Sequence, residues 1–265
     1  MLKIQKYEGL VAAPFTPMDK NGDIKYDVIK PYYEFLEKNE IAGAFINGST
    51  GEGVSLTQKE KQLQAEKWAE CHKPADENRL AEFCTRIGES VPQIPVYFYH
   101  IPALTGVNIP MIRFMEEISA MLPNFAGIKY THEDFMDFMS CLNYQDGAYD
   151  LLWGKDECLL PALSLGCKGG VGSTYNYAAP LYQSLIKAFN EGDISKARHL
   201  QQLSINMIDL LDKYGGIATG KAFMKYIGFD CGSFRSPVQN MADDLCDDFA
   251  NDVRNLKIDH LFSRR

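Results

Sequence analysis

The sequence predicts an α/β fold of the (β/α)8 TIM-barrel type with only six of the eight strands, followed by a C-terminal helical appendage. Three observations carry this. Buried-strand runs alternate with helical runs as far as residue 174, the alternation breaks once near residues 71–75, and only helical patterns follow Pro180. The expected division is residues 1–179 for the barrel-type catalytic body and 180–265 for the helical region packed on it.

Gly9–Phe15 is a short apolar run stopped by Thr16-Pro17 and the turn Asn21-Gly22-Asp23, which predicts a buried strand. Asp27 is placed to cap a helix to about Asn39, with Ile29, Tyr33 and Leu36 on one face. Ile41–Ile46 is a second buried strand, and Thr57 with Glu60 forms a capping box for a helix through Cys71. A further helix follows directly after Lys73-Pro74-Ala75, with Leu80, Phe83, Cys84 and Ile87 at helical spacing and no strand between the two helices. Alternation resumes with strand Val96–Ile101 and a helix begun by Asn108 with Pro110 in its first turn. Strands near 125, 150 and 168 follow, with a helix from Asp156 to Leu165 between the last two. The predicted C-terminal helices span about 180–190, 194–213, 218–227 and 238–256, punctuated by Gly192, Gly215-Gly216 and Pro237.

Composition narrows the function. With 265 residues, 46% hydrophobic, the chain can bury a barrel-sized core. A net charge of −8 and the lack of a basic run beyond Arg264-Arg265 argue against nucleic acid or an anionic membrane as partner. No apolar stretch of about 18 residues and no signal-peptide pattern at Met1–Tyr7 is present, so a soluble chain is expected. The seven cysteines form no CxxC pair and the five histidines no HExxH spacing, which points to a reducing cytoplasm and indicates no metal site.

The strand Phe125-Ala126-Gly127-Ile128 delivers Lys129 into a setting fit for burial. A buried ammonium is costly unless it finds a partner or sheds its proton, and a neutral amine attacks carbonyls to form Schiff bases. The competing reading is a lysine at a strand end that reaches out to solvent. Other strand ends supply complementary chemistry. Gly48-Ser49-Thr50-Gly51-Glu52-Gly53 offers hydroxyls and amides to an anion, or is simply a glycine turn, and it matches neither a Walker loop nor GxGxxG. Tyr97-Phe98-Tyr99-His100 places a phenol where it can shuttle a proton, or where an aromatic lines a rim. Gly154-Lys155-Asp156-Glu157 and Gly172-Ser173-Thr174 suit sugar hydroxyls, although Asp156 is equally placed as a helix cap. His100 and His132 flank the same rim without a Ser or Cys partner that would make a triad.

These segments, with Tyr99-His100-Ile101-Pro102-Ala103-Leu104-Thr105-Gly106, Gly127-Ile128-Lys129 and Gly170-Val171-Gly172-Ser173-Thr174-Tyr175-Asn176, resemble the N-acetylneuraminate lyases of the dihydrodipicolinate synthase superfamily of class I aldolases. The resemblance covers nearly the whole chain, including the helical tail around Gly220-Lys221. It implies that Lys129 forms the Schiff base and that Tyr99 moves the proton. It further implies that Ser49 and Thr50 hold the pyruvate carboxylate, while Thr131, Gly154, Asp156, Glu157, Gly172 and Ser173 hold the sugar part. No metal or organic cofactor is implied, and a homo-oligomer, commonly a tetramer, is. Dihydrodipicolinate synthases typically carry an arginine after the tyrosine to grip a second carboxylate. Leu104 stands in that loop here and suits a neutral N-acetyl sugar.

Against the family pattern, a strand–helix–strand segment is missing at Cys71–Pro74, which removes two of eight barrel walls and alters the closure geometry. The expected activity is cleavage of N-acetylneuraminate to N-acetylmannosamine and pyruvate. The rivals are another pyruvate-dependent sugar-acid aldolase, or a truncated, catalytically silent form.

Overall fold

The computed structural model describes residues 10–39, 41, 43–71, 76–234 and 238–263. The chain forms two compact units, residues 1–75 and 76–265. The predicted join runs from Cys71 into residues 72–75, which lie outside the described residues, as do Gly9, Ala42 and Pro237.

In the first unit, β1 (Val11–Ala12) and β2 (Gly43–Ala44) pair in parallel, with Val11 opposite Gly43. The two longer strands expected here shorten to two residues each, and Phe15 and Phe45 are exposed rather than buried. Among the described residues each of these strands has one strand neighbour, and an isolated strand pair is marginal in stability. Asp27 lies inside a 3-10 turn, Tyr26–Val28, that leads into α1 (Ile29–Lys38), and the cap position falls to Val28. Ile29 is buried and Tyr33 and Leu36 are half-buried, as the helical spacing predicts. The capping box of α2 (Gln58–Cys71) forms as expected. The Thr57 N–H donates to Glu60 Oε2 at 2.7 Å and the Glu60 N–H to Thr57 Oγ1 at 3.3 Å. Tyr32 of α1 meets the buried Trp68 of α2, ring centroids 5.8 Å apart.

The second unit opens with α3 (Glu77–Gly88), capped by Asp76, whose carboxylate accepts the Arg79 N–H at 2.9 Å. Its buried face is Leu80, Ala81 and Gly88, while Phe83 and Ile87 of the predicted apolar stripe are exposed. Next come β3 (Val96–His100), α4 (Pro102–Thr105), α5 (Met111–Met121), β4 (Phe125–Tyr130) and α6 (Phe135–Asn143). They are followed by β5 (Asp150–Trp153), α7 (Leu159–Ser164) and β6 (Gly169–Gly170). The four strands form one parallel sheet in the order β3-β4-β5-β6, so among the described residues the strands number six, as predicted. The last strand is shorter than residues 168–174, and the helix expected from Asp156 begins as a 3-10 turn, Asp156–Cys158, before α7.

One face of the sheet is the core. Ile128, Tyr130 and Trp153 are fully buried there against Phe114 of α5 and Phe138 of α6, with Phe138 and Trp153 ring centroids 4.9 Å apart. Helix α5 begins at Met111 with Pro110 in the cap position, not at Asn108. A proline there cannot cap with its side chain, and the carboxylate of Asp137 on α6 takes over. It accepts the Met111 N–H at 2.9 Å, the Ile112 N–H at 3.0 Å and the Tyr130 hydroxyl at 2.8 Å.

The C-terminal helices are α8 (Tyr175–Asn190), α9 (Ile194–Lys213), α10 (Ile217–Tyr226) and α11 (Cys246–Asn255). Helix α8 starts before Pro180 and absorbs it with a kink at Ala178, φ −130° and ψ 30°. The last predicted helix begins later than residue 238, as a 3-10 turn Asp243–Leu245 leading into α11. Tyr177 stacks on Phe223 at 4.6 Å, and Phe249 abuts Phe223 edge-on at 4.9 Å, joining α8, α10 and α11. No helix among the described residues is long and apolar enough to cross a membrane.

Replacing Asp137 with alanine leaves three buried or half-buried donors without their acceptor, at a cost of about 3 kcal/mol or more. Urea denaturation of Asp137→Ala against the parent chain measures this; a loss below about 0.5 kcal/mol would contradict the capping role.

Candidate active site

The sheet register assembles the site. Tyr99 lies opposite Lys129, and Lys129 opposite Leu152. Because side chains alternate along a strand, Tyr97, Tyr99 and Lys129 share the face away from the core, while Phe98, His100, Ile128 and Tyr130 point to the helices. The Lys129 Nζ sits 3.9 Å from the centre of the Tyr99 ring, so the predicted amine and phenol side chains are in direct contact. Tyr99 is 45% exposed, open to a ligand.

The ladder continues one residue past the strands. The N–H groups of Thr131, Gly154 and Val171 donate to the carbonyls of His100, Tyr130 and Trp153, each at 2.8 Å. This brings the predicted residues at three strand ends into one row. Thr131 packs so tightly on Gly154 that a Cβ there would collide with its hydroxyl, and Thr131 Oγ1 is buried without a hydrogen-bond partner among the described residues. Gly172 stands in the same relation to the Asp156 carboxylate. Asp156 is buried and its carboxyl is pushed up by that burial, with hydrogen bonds from Thr174 opposing the shift. Its Oδ2 accepts the Thr174 N–H at 3.1 Å and the Thr174 hydroxyl at 2.5 Å, and the Tyr175 phenol stands beside the same carboxylate.

Behind Asp156 a buried polar network fixes the loop. The Tyr182 hydroxyl lies 2.7 Å from Thr174 Oγ1 and 2.8 Å from Ser204 Oγ. Gln201 Nε2 donates to the Asp156 carbonyl at 3.1 Å, and Gln201 Oε1 accepts the Leu160 N–H at 2.9 Å. Helix capping, the competing sequence reading for Asp156, is not its role: the helical turn's N-cap is Lys155 and the carboxylate reaches across to Thr174.

Glu157 is half-buried and Ser173 exposed. Ser49 and Thr50 lie in the first unit, exposed on a turn after β2. That turn holds Asn47 at φ 56° and Glu52 at φ 54°, unusual for non-glycine residues. It is tied down by the Thr16 hydroxyl donating to the Gly51 carbonyl at 2.6 Å, with Gln64 Nε2 donating to Thr16 Oγ1 at 2.9 Å. Leu104, on α4, is 81% exposed.

Sequence reasoning gave no role to Lys155 and Glu133. Their side chains form an ion pair, and Lys155 Nζ is also 3.5 Å from Glu157 Oε1. The signal in the sequence is the charge of Lys155 between Gly154 and Asp156. Thr174 was likewise visible, whereas Gln201 and Ser204 come from a distant helix with no local cue.

The sequence profile of the dihydrodipicolinate synthetase family matches residues 6–75 and 72–256. The chain belongs to the dihydrodipicolinate synthetase family. Within it, human N-acetylneuraminate lyase is 32% identical over 298 aligned positions, covering 95% of this chain and 93% of that protein. The Gallus gallus N-acetylneuraminate lyase is 32% identical over 288 positions, covering 91% and 93%. Among solved structures, Proteus mirabilis N-acetylneuraminate lyase superposes with a TM-score of 0.67 at 30% identity, covering 95% of this chain and 99% of that one.

The family match splits in two at residues 72–75, and the alignment to the human protein is longer than the 265-residue chain itself. The relative therefore carries residues with no counterpart here, in keeping with the missing strand–helix–strand segment. The family's barrel-type pattern is present with six strands among the described residues.

His100 supplies a pH test of this sheet. It is 3% exposed, packed between Tyr130 and His132 at 5.0 and 5.6 Å, and burial, aided by His132, lowers its pKa to about 4. The unfolded chain binds a proton near pH 6.5 and the folded chain does not until about pH 4, so stability falls as pH drops through that window. The loss attributable to His100 is about 3 kcal/mol at full extent. Denaturation midpoints from pH 7 to 4 should decline more steeply in the parent than in His100→Gln; equal slopes would refute the assignment.

Proposed function

We propose that this chain is a class I aldolase that cleaves N-acetylneuraminate to N-acetylmannosamine and pyruvate. The observation that carries the proposal is the contact of the Lys129 amine with Tyr99 on paired strands, in a chain whose relatives are N-acetylneuraminate lyases.

Lys129, as the free amine, attacks the keto carbon of the sugar acid, and loss of water gives a protonated imine. The imine draws in the electron pair as the carbon–carbon bond breaks, while Tyr99 carries the proton from the departing hydroxyl. N-acetylmannosamine leaves as the aldehyde. The remaining enamine takes a proton on carbon, and water then releases pyruvate and the free lysine. Ser49 and Thr50 hold the carboxylate of pyruvate. The sugar part meets Thr131, Gly154, Asp156, Glu157, Gly172 and Ser173, and the row into which the sheet ladder brings the ends of β4, β5 and β6 supports that role. The exposed, uncharged Leu104 favours a neutral N-acetyl sugar over a substrate with a second carboxylate.

In this reading the chemistry runs on the covalent imine without a metal or organic cofactor. The chain works as a homo-oligomer, a tetramer by analogy with the family, in a reducing cytoplasm. All seven cysteines being free thiols supports that compartment. A second reading, a catalytically silent truncated form, is favoured by the break in the family match at residues 72–75 and by the exposure of Phe15, Phe45, Phe83 and Ile87.

Borohydride reduction in the presence of pyruvate separates the two. A single adduct should map to Lys129 and vanish in Lys129→Arg, whereas a folded chain that takes no adduct is the silent form. With N-acetylneuraminate as substrate, Tyr99→Phe should lower kcat by about 100-fold or more while leaving pyruvate trapping intact.

A further inference from the structure

Lys155 is the one charged side chain between the predicted sugar-holding residues Gly154, Asp156 and Glu157 that the proposed chemistry does not use. Its backbone is fixed on the core side. The indole N–H of the fully buried Trp153 donates to the Lys155 carbonyl at 2.8 Å, and the Cys158 N–H donates to the same oxygen at 3.1 Å. Its side chain is 23% exposed, less than the 52% of Glu133 and the 36% of Glu157, so the ammonium sits inward of the carboxylates it bridges. Two carboxylates from different loops, one after β4 and one after β5, therefore meet over a single cation. Without that cation they repel each other, and Glu157 would lose the contact that sets its direction.

We propose that Lys155 is a positioning residue for substrate specificity: by bridging Glu133 and Glu157 it holds the Glu157 carboxylate aimed at the hydroxylated tail of the sugar acid. The inference rests on the aldolase reading and deepens it. The three groups together carry one net negative charge, which suits a neutral polyhydroxy tail whose hydroxyls donate hydrogen bonds and disfavours a tail bearing a phosphate or carboxylate.

The test compares the parent chain with Lys155→Met and Lys155→Arg, using N-acetylneuraminate and a 2-keto-3-deoxy sugar acid with a shortened, hydroxyl-poor tail, and pyruvate–borohydride trapping as a control. Lys155→Met should raise KM for N-acetylneuraminate about tenfold, the loss expected for a charged hydrogen bond to a hydroxyl, with a much smaller change in kcat. KM for the short-tailed substrate should stay within about twofold, since it cannot use Glu157, and Lys155→Arg should recover most of the loss. Equal KM increases for both substrates, or no recovery with arginine, would assign Lys155 a merely structural role and overturn the proposal. So would an unchanged KM. If the parent chain traps no pyruvate at Lys129, the aldolase reading itself fails and takes this inference with it. Trapping with an unchanged substrate preference defeats the inference alone.

Discussion

The parallel pairing of β3, β4 and β5 is the constraint on which the rest of the second unit depends. It sets Tyr99, Lys129 and Leu152 side by side, and one residue later His100, Tyr130 and Trp153. A slip of one residue would exchange the two faces, sending the lysine into the aromatic core and Tyr130 out of it. The aromatic packing of Tyr130, Phe138 and Trp153 therefore protects the register, and through it the contact between amine and phenol. Core and chemistry are two sides of the same strands.

The polar network around Asp156 extends this order into the loops. A buried carboxylate is costly unless it is hydrogen-bonded, and Asp156 takes both the N–H and the hydroxyl of Thr174. Helix α9 serves as the backstop, since Gln201 holds the carbonyl of Asp156 and the amide of Leu160 together. The C-terminal helices are thus part of how the site is held.

Much of this was legible in the sequence where the physics is local. The capping box at Thr57 and Glu60, the six strands and the placing of Lys129 on a strand all follow from short-range pattern. The misplaced features depend on what lies across space. Phe83 and Ile87 have the spacing of a core stripe, yet the side of α3 that packs is the one bearing Leu80, Ala81 and Gly88. Helix α5 gained its N-terminal acceptor from Asp137, 26 residues on in the chain, so no rule based on its own first turn could place its start. The strands of the first unit are shorter than their apolar runs because strand length depends on neighbours across space, and a pair alone is marginal. Lys155 was read as part of a motif, but its bridging of two loops is a property of the folded chain.

The tight seating of Gly154 on Thr131 and of Gly172 on Asp156 also bears on how such a chain can diversify. Any side chain at either glycine displaces the Thr131 hydroxyl or the Asp156 carboxylate, so both positions are confined to glycine while those neighbours stay in place. Variation then falls to loop positions around them, such as the exposed Leu104, where a side chain can change without disturbing the sheet. The packing thereby separates strand-end positions dictated by their neighbours from a surrounding rim that tolerates change.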